Sequence, residues 1–187
     1  MKATTVLLAA SVAGFALGAA AQTRGPPASQ DQSIVTAEAS PRAPTDTTNA
    51  RSTEFLLDAL RASLTEARMG KLAAQQSGEQ KIRDFGLELE SDHTAHAAEI
   101  ERLLEPLRVT IPAEPSAEGV SQLAALSRLS GREFDSAFIQ AAIWMHNDAI
   151  ERYGAQTHAN PDRSLHDFAA RSLPMLREHL ARAEALR

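Results

Sequence analysis

From about Ser52 onward, apolar side chains recur at three- and four-residue spacing, a rhythm that predicts helices. In the first, from about Ser52 to Gln76, Phe55, Ala59, Ala62, Ser63, Glu66, Met69, Gly70 and Ala73 share one face made mostly of small residues. Ser77 and Gln80 have the spacing of a capping box, with Gly78 between them to ease the turn, so a second helix starts almost at once and returns antiparallel. Its buried stripe is Ile82, Phe85, Leu89, His93, His96, Ile100, Leu103 and Leu107, and Pro112 and Pro115 end it. The connection that follows holds an expected short helix from about Glu118 to Leu129. Ser130 and Glu133 form a second box before a third long helix that buries Phe134, Phe138, Ala142, Met145, Ala149 and Tyr153. Asn160 and Pro161 read as the N-cap and first helical residue of a fourth, carried by Leu165, Phe168, Ala169, Leu176, Leu180 and Ala183. Pro174 falls inside that helix and should bend it or loosen one turn, because it removes an internal hydrogen bond.

Two tight hairpins joined by a longer connection specify an all-α fold: a four-helix bundle over residues 52–187 with a short extra helix between the second and third long helices. The order is either up-down-up-down or the crossover of ferritin-like folds. Ahead of it, residues 22–51 are rich in Ala, Ser, Thr, Pro and Gln and nearly free of large apolar side chains. Such a stretch cannot bury enough surface to offset its ordering entropy and reads as a disordered leader. Residues 1–21 pair Lys2 with an apolar run from Val6 that ends in Ala19-Ala20-Ala21, the pattern of a cleavable export signal. The expected location is the periplasm, with no membrane span after cleavage.

Composition removes several function classes. Nineteen Lys and Arg against 24 Asp and Glu leave a net charge of -5, without the basic patch that nucleic acid or an anionic membrane needs. Cysteine is absent, so there is no disulfide, thiolate ligand, cysteine nucleophile or lipidated cysteine. No nucleophile-base pair, phosphate loop or dinucleotide fingerprint is present.

The polar residues on the inward faces carry the remaining chemistry. Advancing each helix by about 100° per residue places Glu66, His93, His146 and His179 inside apolar arcs, one on each long helix. At roughly 1.5 Å per residue, Glu66 and His93 lie about 16 and 21 Å from their shared turn, and His146 and His179 about 18 and 27 Å from theirs. All four thus fall toward mid-bundle. Three neutral imidazoles and a carboxylate suit zinc, iron, copper or manganese. His96, one turn from His93, is a candidate fifth ligand or supporting group, and Asp92 could orient a neighbouring imidazole. The same residues could instead form a metal-free hydrogen-bonded network that sets helix register. His158 and His166 read as solvated, and Asp135 as an acidic residue favouring a helix N-terminus. Trp144, Leu57, Leu64 and Leu72 point away from the core, toward the short helix, the connection, or a homo-oligomer or envelope partner.

Several segments also carry a family resemblance: Leu64-Thr65-Glu66-Ala67-Arg68-Met69-Gly70-Lys71-Leu72-Ala73, Asp92-His93, Gly131-Arg132-Glu133-Phe134-Asp135, His146, and Leu173-Pro174-Met175-Leu176-Arg177-Glu178-His179-Leu180. Over about Thr53 to Leu186 the chain resembles the bacterial domain-of-unknown-function family 4142, often labelled predicted outer-membrane protein and grouped with ferritin-like bundles. The resemblance implies an exported ferritin-like bundle and brings no established activity. Outer-membrane insertion fits poorly, since no alternating runs suggest a barrel. A di-iron site of the ferritin-like kind needs Glu-x-x-His on two helices. Glu90 and His93 have that spacing, but Leu176 stands before His179 and helix 3 offers His146 in place of a carboxylate, which favours a mononuclear or histidine-rich site. Three functions remain: a metal-binding or metal-handling bundle, a structural or stress-related envelope protein with a metal-free polar core, and a metalloenzyme.

Overall fold

Five α-helices account for most of the residues that the computed structural model describes, 46–159 and 161–187. They are α1 (Asp46–Gln76), α2 (Gln80–Leu104), α3 (Ala117–Leu126), α4 (Gly131–Ala159) and α5 (Arg163–Ala185), with no strand among the described residues. All belong to one compact unit, Pro41–Arg187. The expected signal and the leader up to residue 45 lie outside the described residues. No described helix is long and apolar enough to cross a membrane.

Helix α1 starts at Asp46, ahead of the expected Ser52, so the leader expected over 22–51 gives way to helix inside its last turns. Its first turns lack an apolar stripe, which is why periodicity missed them. At the other end, the box expected of Ser77 and Gln80 does not close. Glu79 is the N-cap of α2, without a side-chain cap bond. Ser77 Oγ accepts from the Glu79 N–H at 3.1 Å, while Gln80 Nε2 turns away to donate to Asp84 Oδ1 at 2.7 Å. Ser77 Oγ also donates to Asp135 Oδ1 at 2.6 Å. Asp135 is buried and ties the first hairpin turn to α4, a more specific role than helix-terminus electrostatics.

Helix α2 stops at Leu104, and Pro106 sits in a single 3-10 turn, Glu105–Leu107, that leaves Leu107 exposed outside the stripe assigned to it. Ser116 caps α3 by accepting from the Gly119 N–H at 3.1 Å. For α5 the N-cap is Asp162, which accepts from the Ser164 and Leu165 N–H groups, in place of the expected Asn160. Pro161 consequently precedes the helix. Pro174 lies within α5 on its exposed side, where water can satisfy the carbonyl it frees.

The small residues of α1 explain its closeness to α2. A Cβ at Gly70 would lie 2.5 Å from the Gly86 carbonyl oxygen, and one at Gly86 would lie 2.6 Å from that of Gly70. The two backbones therefore touch where only glycine fits. Leu57, Leu64 and Leu72, expected to point away from the core, are partly buried and pack against it, whereas Trp144 stays exposed.

Two apolar clusters make the core. One gathers Phe55, Leu60, Ile100, Leu104, Leu165 and Phe168, the other Met69, Phe85, Leu89, Phe134, Phe138 and Ala183. Helices α1 and α5 run from the first cluster to the second, and α2 and α4 run the opposite way. The connection between α2 and α4 must therefore travel the length of the domain, with Val109 and Ile111 on the first cluster and Leu123, Leu126 and Leu129 on the second. Between the clusters lies a level of buried polar side chains.

Candidate metal centre

Each long helix delivers polar groups to that level because its apolar stripe is interrupted at or near the middle. They are Ser63 and Glu66 on α1, His93 and His96 on α2, His146 on α4, and Ser172 and His179 on α5, all buried. Glu66, His93, His146 and His179 come together, yet their geometry divides the four. The nitrogens His93 Nε2, His146 Nε2 and His179 Nδ1 converge, whereas the Glu66 carboxylate stands behind them.

Outer hydrogen bonds fix two of the three imidazoles. His146 Nδ1 is 2.8 Å from the Ala142 carbonyl, one turn back on α4, and a carbonyl can only accept. His179 Nε2 is 3.0 Å from Asp92 Oδ2, which accepts likewise. Both protons therefore point outward, so the lone pairs of His146 Nε2 and His179 Nδ1 face each other at 3.2 Å. His93 Nε2 approaches His146 Nε2 at 3.4 Å. His93 can offer one proton at most to this cluster while neutral, which leaves an unshared lone pair in an apolar enclosure. A tetrahedral site with metal–nitrogen bonds of about 2.0–2.1 Å has N···N edges of about 3.3 Å. Two of the three edges match that value and the third is within 4.8 Å, so a bound cation would resolve the lone-pair conflict.

Glu66 occupies a different place from that of a direct ligand. Its Oε2 is 3.2 Å from His93 Nδ1, the nitrogen on the far side of the ring from the cluster. The approach lacks hydrogen-bond alignment, and neither Glu66 Oε1 nor His93 Nδ1 has a hydrogen-bond partner among the described residues. The 3.5 Å separation of Glu66 Oε1 from His146 Nδ1 is no substitute, since that N–H is committed to Ala142. Glu66 and Asp92 thus stand behind His93 and His179 as carboxylates that can orient and polarise an imidazole.

Electrostatics follows burial. Desolvation, with a smaller contribution from Asp148, pushes the Glu66 carboxyl up to about 8. Burial drives His93 well below the ordinary histidine range, helped by the neighbouring imidazoles, and lowers His146 to about 4 against the bond to Ala142. His93 and His146 are accordingly neutral near pH 7, the form that binds a metal ion.

His96 does not join the cluster. Ser172 Oγ donates to the Phe168 carbonyl at 3.0 Å and so accepts from His96 Nε2–H at 3.0 Å, which leaves Nδ1 to accept from Ser63 Oγ at 3.0 Å, and the ring stacks on Phe168 with centroids 5.2 Å apart. Tyr153 Oη approaches Nε2 at 3.4 Å. With both nitrogens matched, His96 is a hydrogen-bonded knot beside the centre rather than a ligand. Ser172 and Tyr153 were not assigned polar roles from sequence. The only signal was their place on the inward arcs of α5 and α4, level with His96.

A second acidic group, Glu88 and Asp92 with His179, borders the centre on its outer side. Glu88 is paired there with Arg182, whose guanidinium also lies 5.9 Å from the centre of the Phe85 ring. His158 and His166 stand near the α4–α5 turn, and His166 Nδ1 lies 3.0 Å from Asp167 Oδ1.

No curated protein matches the chain significantly in sequence. Among solved structures, it is similar in fold to the crystal structure of a DUF305 fragment from Deinococcus radiodurans. The TM-score is 0.64 at 15% identity, over 73% of this chain and 94% of that one. At that identity the likeness concerns the fold alone. The family described as domain of unknown function DUF4142 matches residues 37–186, which include all five helices and every residue of the polar level, and the chain belongs to that family.

Proposed function

We propose that this chain is an exported, ferritin-like four-helix bundle with a crossover between its second and third long helices, and that its core binds a transition-metal ion. His93 Nε2, His146 Nε2 and His179 Nδ1 are the ligands; Glu66 and Asp92 are the carboxylates behind them. The carrying observation is the convergence of three imidazole nitrogens, two of which have their protons directed away by Ala142 and Asp92. The N-terminal Lys2, the apolar run and Ala19-Ala20-Ala21 support export to the periplasm. Neutral nitrogen donors suit zinc, copper, iron or manganese, and a three-nitrogen face leaves a coordination position for water or another donor.

Metal analysis of the purified protein tests this reading. After removal of metal with chelator and reconstitution with each ion in turn, wild type should retain one equivalent of the preferred ion and His146→Ala almost none. If wild type retains none of the ions offered, the reading fails; if His146→Ala retains a full equivalent, the ligand assignment fails.

The fully matched hydrogen bonds of His96 favour a second role for the polar level, as a register device that holds α1, α2 and α5 at one height. The two roles occupy different residues and are compatible.

A further inference from the structure

The three converging nitrogens belong to side chains that are at most 1% exposed, so an ion must reach them through the protein. A cavity of about 300 Å³ lies between α1, α3 and α4, and its deep end is formed by Glu66 and His93. It is ample for a cation that keeps part of its water shell, since one water needs only about 10–15 Å³ measured in this way. At the outer end is Trp144, 67% exposed and the only tryptophan of the chain. One wall is the N-terminal part of α3, where Gly119 lies so close to Thr65 that a methyl group would collide with its hydroxyl.

The charges along this cavity select a cation. Three carboxylates line it, Asp58, Glu118 and Asp148, against two guanidiniums, and the Glu66 carboxyl stands at its deep end. Both arginines are engaged: Arg61 with Asp58 at 3.2 Å, and Arg152 with Asp58 at 3.3 Å and Asp148 at 3.7 Å. Glu66 is 3% exposed, and among the described residues its Oε1 has no hydrogen-bond partner. A buried acceptor of that kind calls for a donor or a cation.

We propose that this cavity is a loading vestibule: a partly hydrated divalent cation is drawn in past Glu118 and Asp148, held at Glu66, and passed to His93, His146 and His179. This rests on the metal-centre reading and adds the route by which the centre is filled. The opposite side is less suited. There Glu88 is paired with Arg182, and Asp92 holds the outward N–H of His179, so passage would disturb the contact that orients a ligand, whereas the Asp148 pairing with Arg152, at 3.7 Å, touches none of the three histidines.

Stopped-flow mixing of metal-free protein with cobalt(II) tests the route. Trp144 fluorescence reports arrival at the mouth, and the visible ligand-field absorption of cobalt reports arrival among the histidines. In wild type, quenching should precede absorption. Asp148→Asn and Glu118→Gln together should slow loading about tenfold at low ionic strength, a difference that shrinks in salt, while the final absorption per protein is retained. Ala149→Phe, which fills the cavity, should slow loading at every ionic strength. Unchanged rates in both variants would overturn the vestibule, as would slowing by Glu88→Gln with no effect of Asp148→Asn and Glu118→Gln. Absence of cobalt absorption in wild type at equilibrium would instead sink the metal-centre reading itself.

Discussion

His96 and His93 are one turn apart on the same face of α2, both buried, and their situations differ in kind. His96 has a hydroxyl matched to each ring nitrogen and a phenyl ring against its face. Among the described residues His93 Nδ1 has no hydrogen-bond partner, nor does Oε1 of the Glu66 carboxyl whose other oxygen is 3.2 Å away, and His93 Nε2 is directed at nitrogens that already hold lone pairs. The first arrangement is complete by itself and stabilises the fold. The second is complete only with a further positive charge. Burial alone therefore says little about what a core histidine does; the balance of donors and acceptors around it decides.

The comparison breaks most visibly in metal binding. His179→Ala should abolish retention of the ion, whereas His96→Ala, which also removes a buried imidazole, should leave about one equivalent bound; inductively coupled plasma mass spectrometry of the two variants makes the measurement. Equal losses in both would mean that the two histidines form a single network.

Stability of the metal-free protein should rank the residues the other way. His96→Leu takes a partner from the Ser63 and Ser172 hydroxyls and should cost about 1–3 kcal/mol in urea unfolding. Joint replacement of the unmatched pair, Glu66→Leu with His93→Leu, should be neutral or stabilising in the same assay, because apolar contacts replace two unsatisfied polar groups. A large loss in that double variant would show that Glu66 and His93 are satisfied as they stand.

A smaller effect concerns the carboxylate behind His179. Asp92→Ala frees the Nε2 proton from its acceptor and should weaken metal binding about 10–100-fold without changing stoichiometry, as read by competition with a chelator of known affinity. Identical affinity would show that the ring is held by packing against Phe85, whose centroid is 6.2 Å away.

The mildest test is the pH dependence of the metal-free fold. Burial lowers His93, His96 and His146, the last two to about 4, so between about 4 and 6.5 the unfolded chain binds more protons and stability falls as pH falls. Glu66 acts in the opposite sense: raised to about 8, it keeps a proton that the unfolded chain releases above 4.5, so its contribution fades as pH rises through that interval. Three histidines outweigh one carboxyl on the acid side, and the carboxyl dominates above, which places the maximum near about pH 6.5. Urea midpoints from pH 5 to 8.5 should trace that dome, and Glu66→Gln should flatten its alkaline side.

Much of this was legible in the chain. The stripes from Phe55 to Ala73 and from Ile82 to Ile100 define long helices because a 3.6-residue period leaves one face apolar, and interruption of those stripes by Glu66, His93, His146 and His179 marks a polar level. The caps were less legible. Ser77 has the right spacing for a box, but its hydroxyl is drawn to Asp135, a residue 58 positions away that spacing cannot register.

The sequence by itself determined the helices, their inward faces and the approximate height of the polar residues, because these depend on local periodicity and rise per residue. Only the tertiary structure decided that Glu66 stands behind His93, that Asp92 anchors His179, and that Ser63 and Ser172 complete His96. Those outcomes depend on the rotation and offset of one helix against another to within an ångström or so, and on which ring nitrogen meets an acceptor. Periodicity averages over just those quantities.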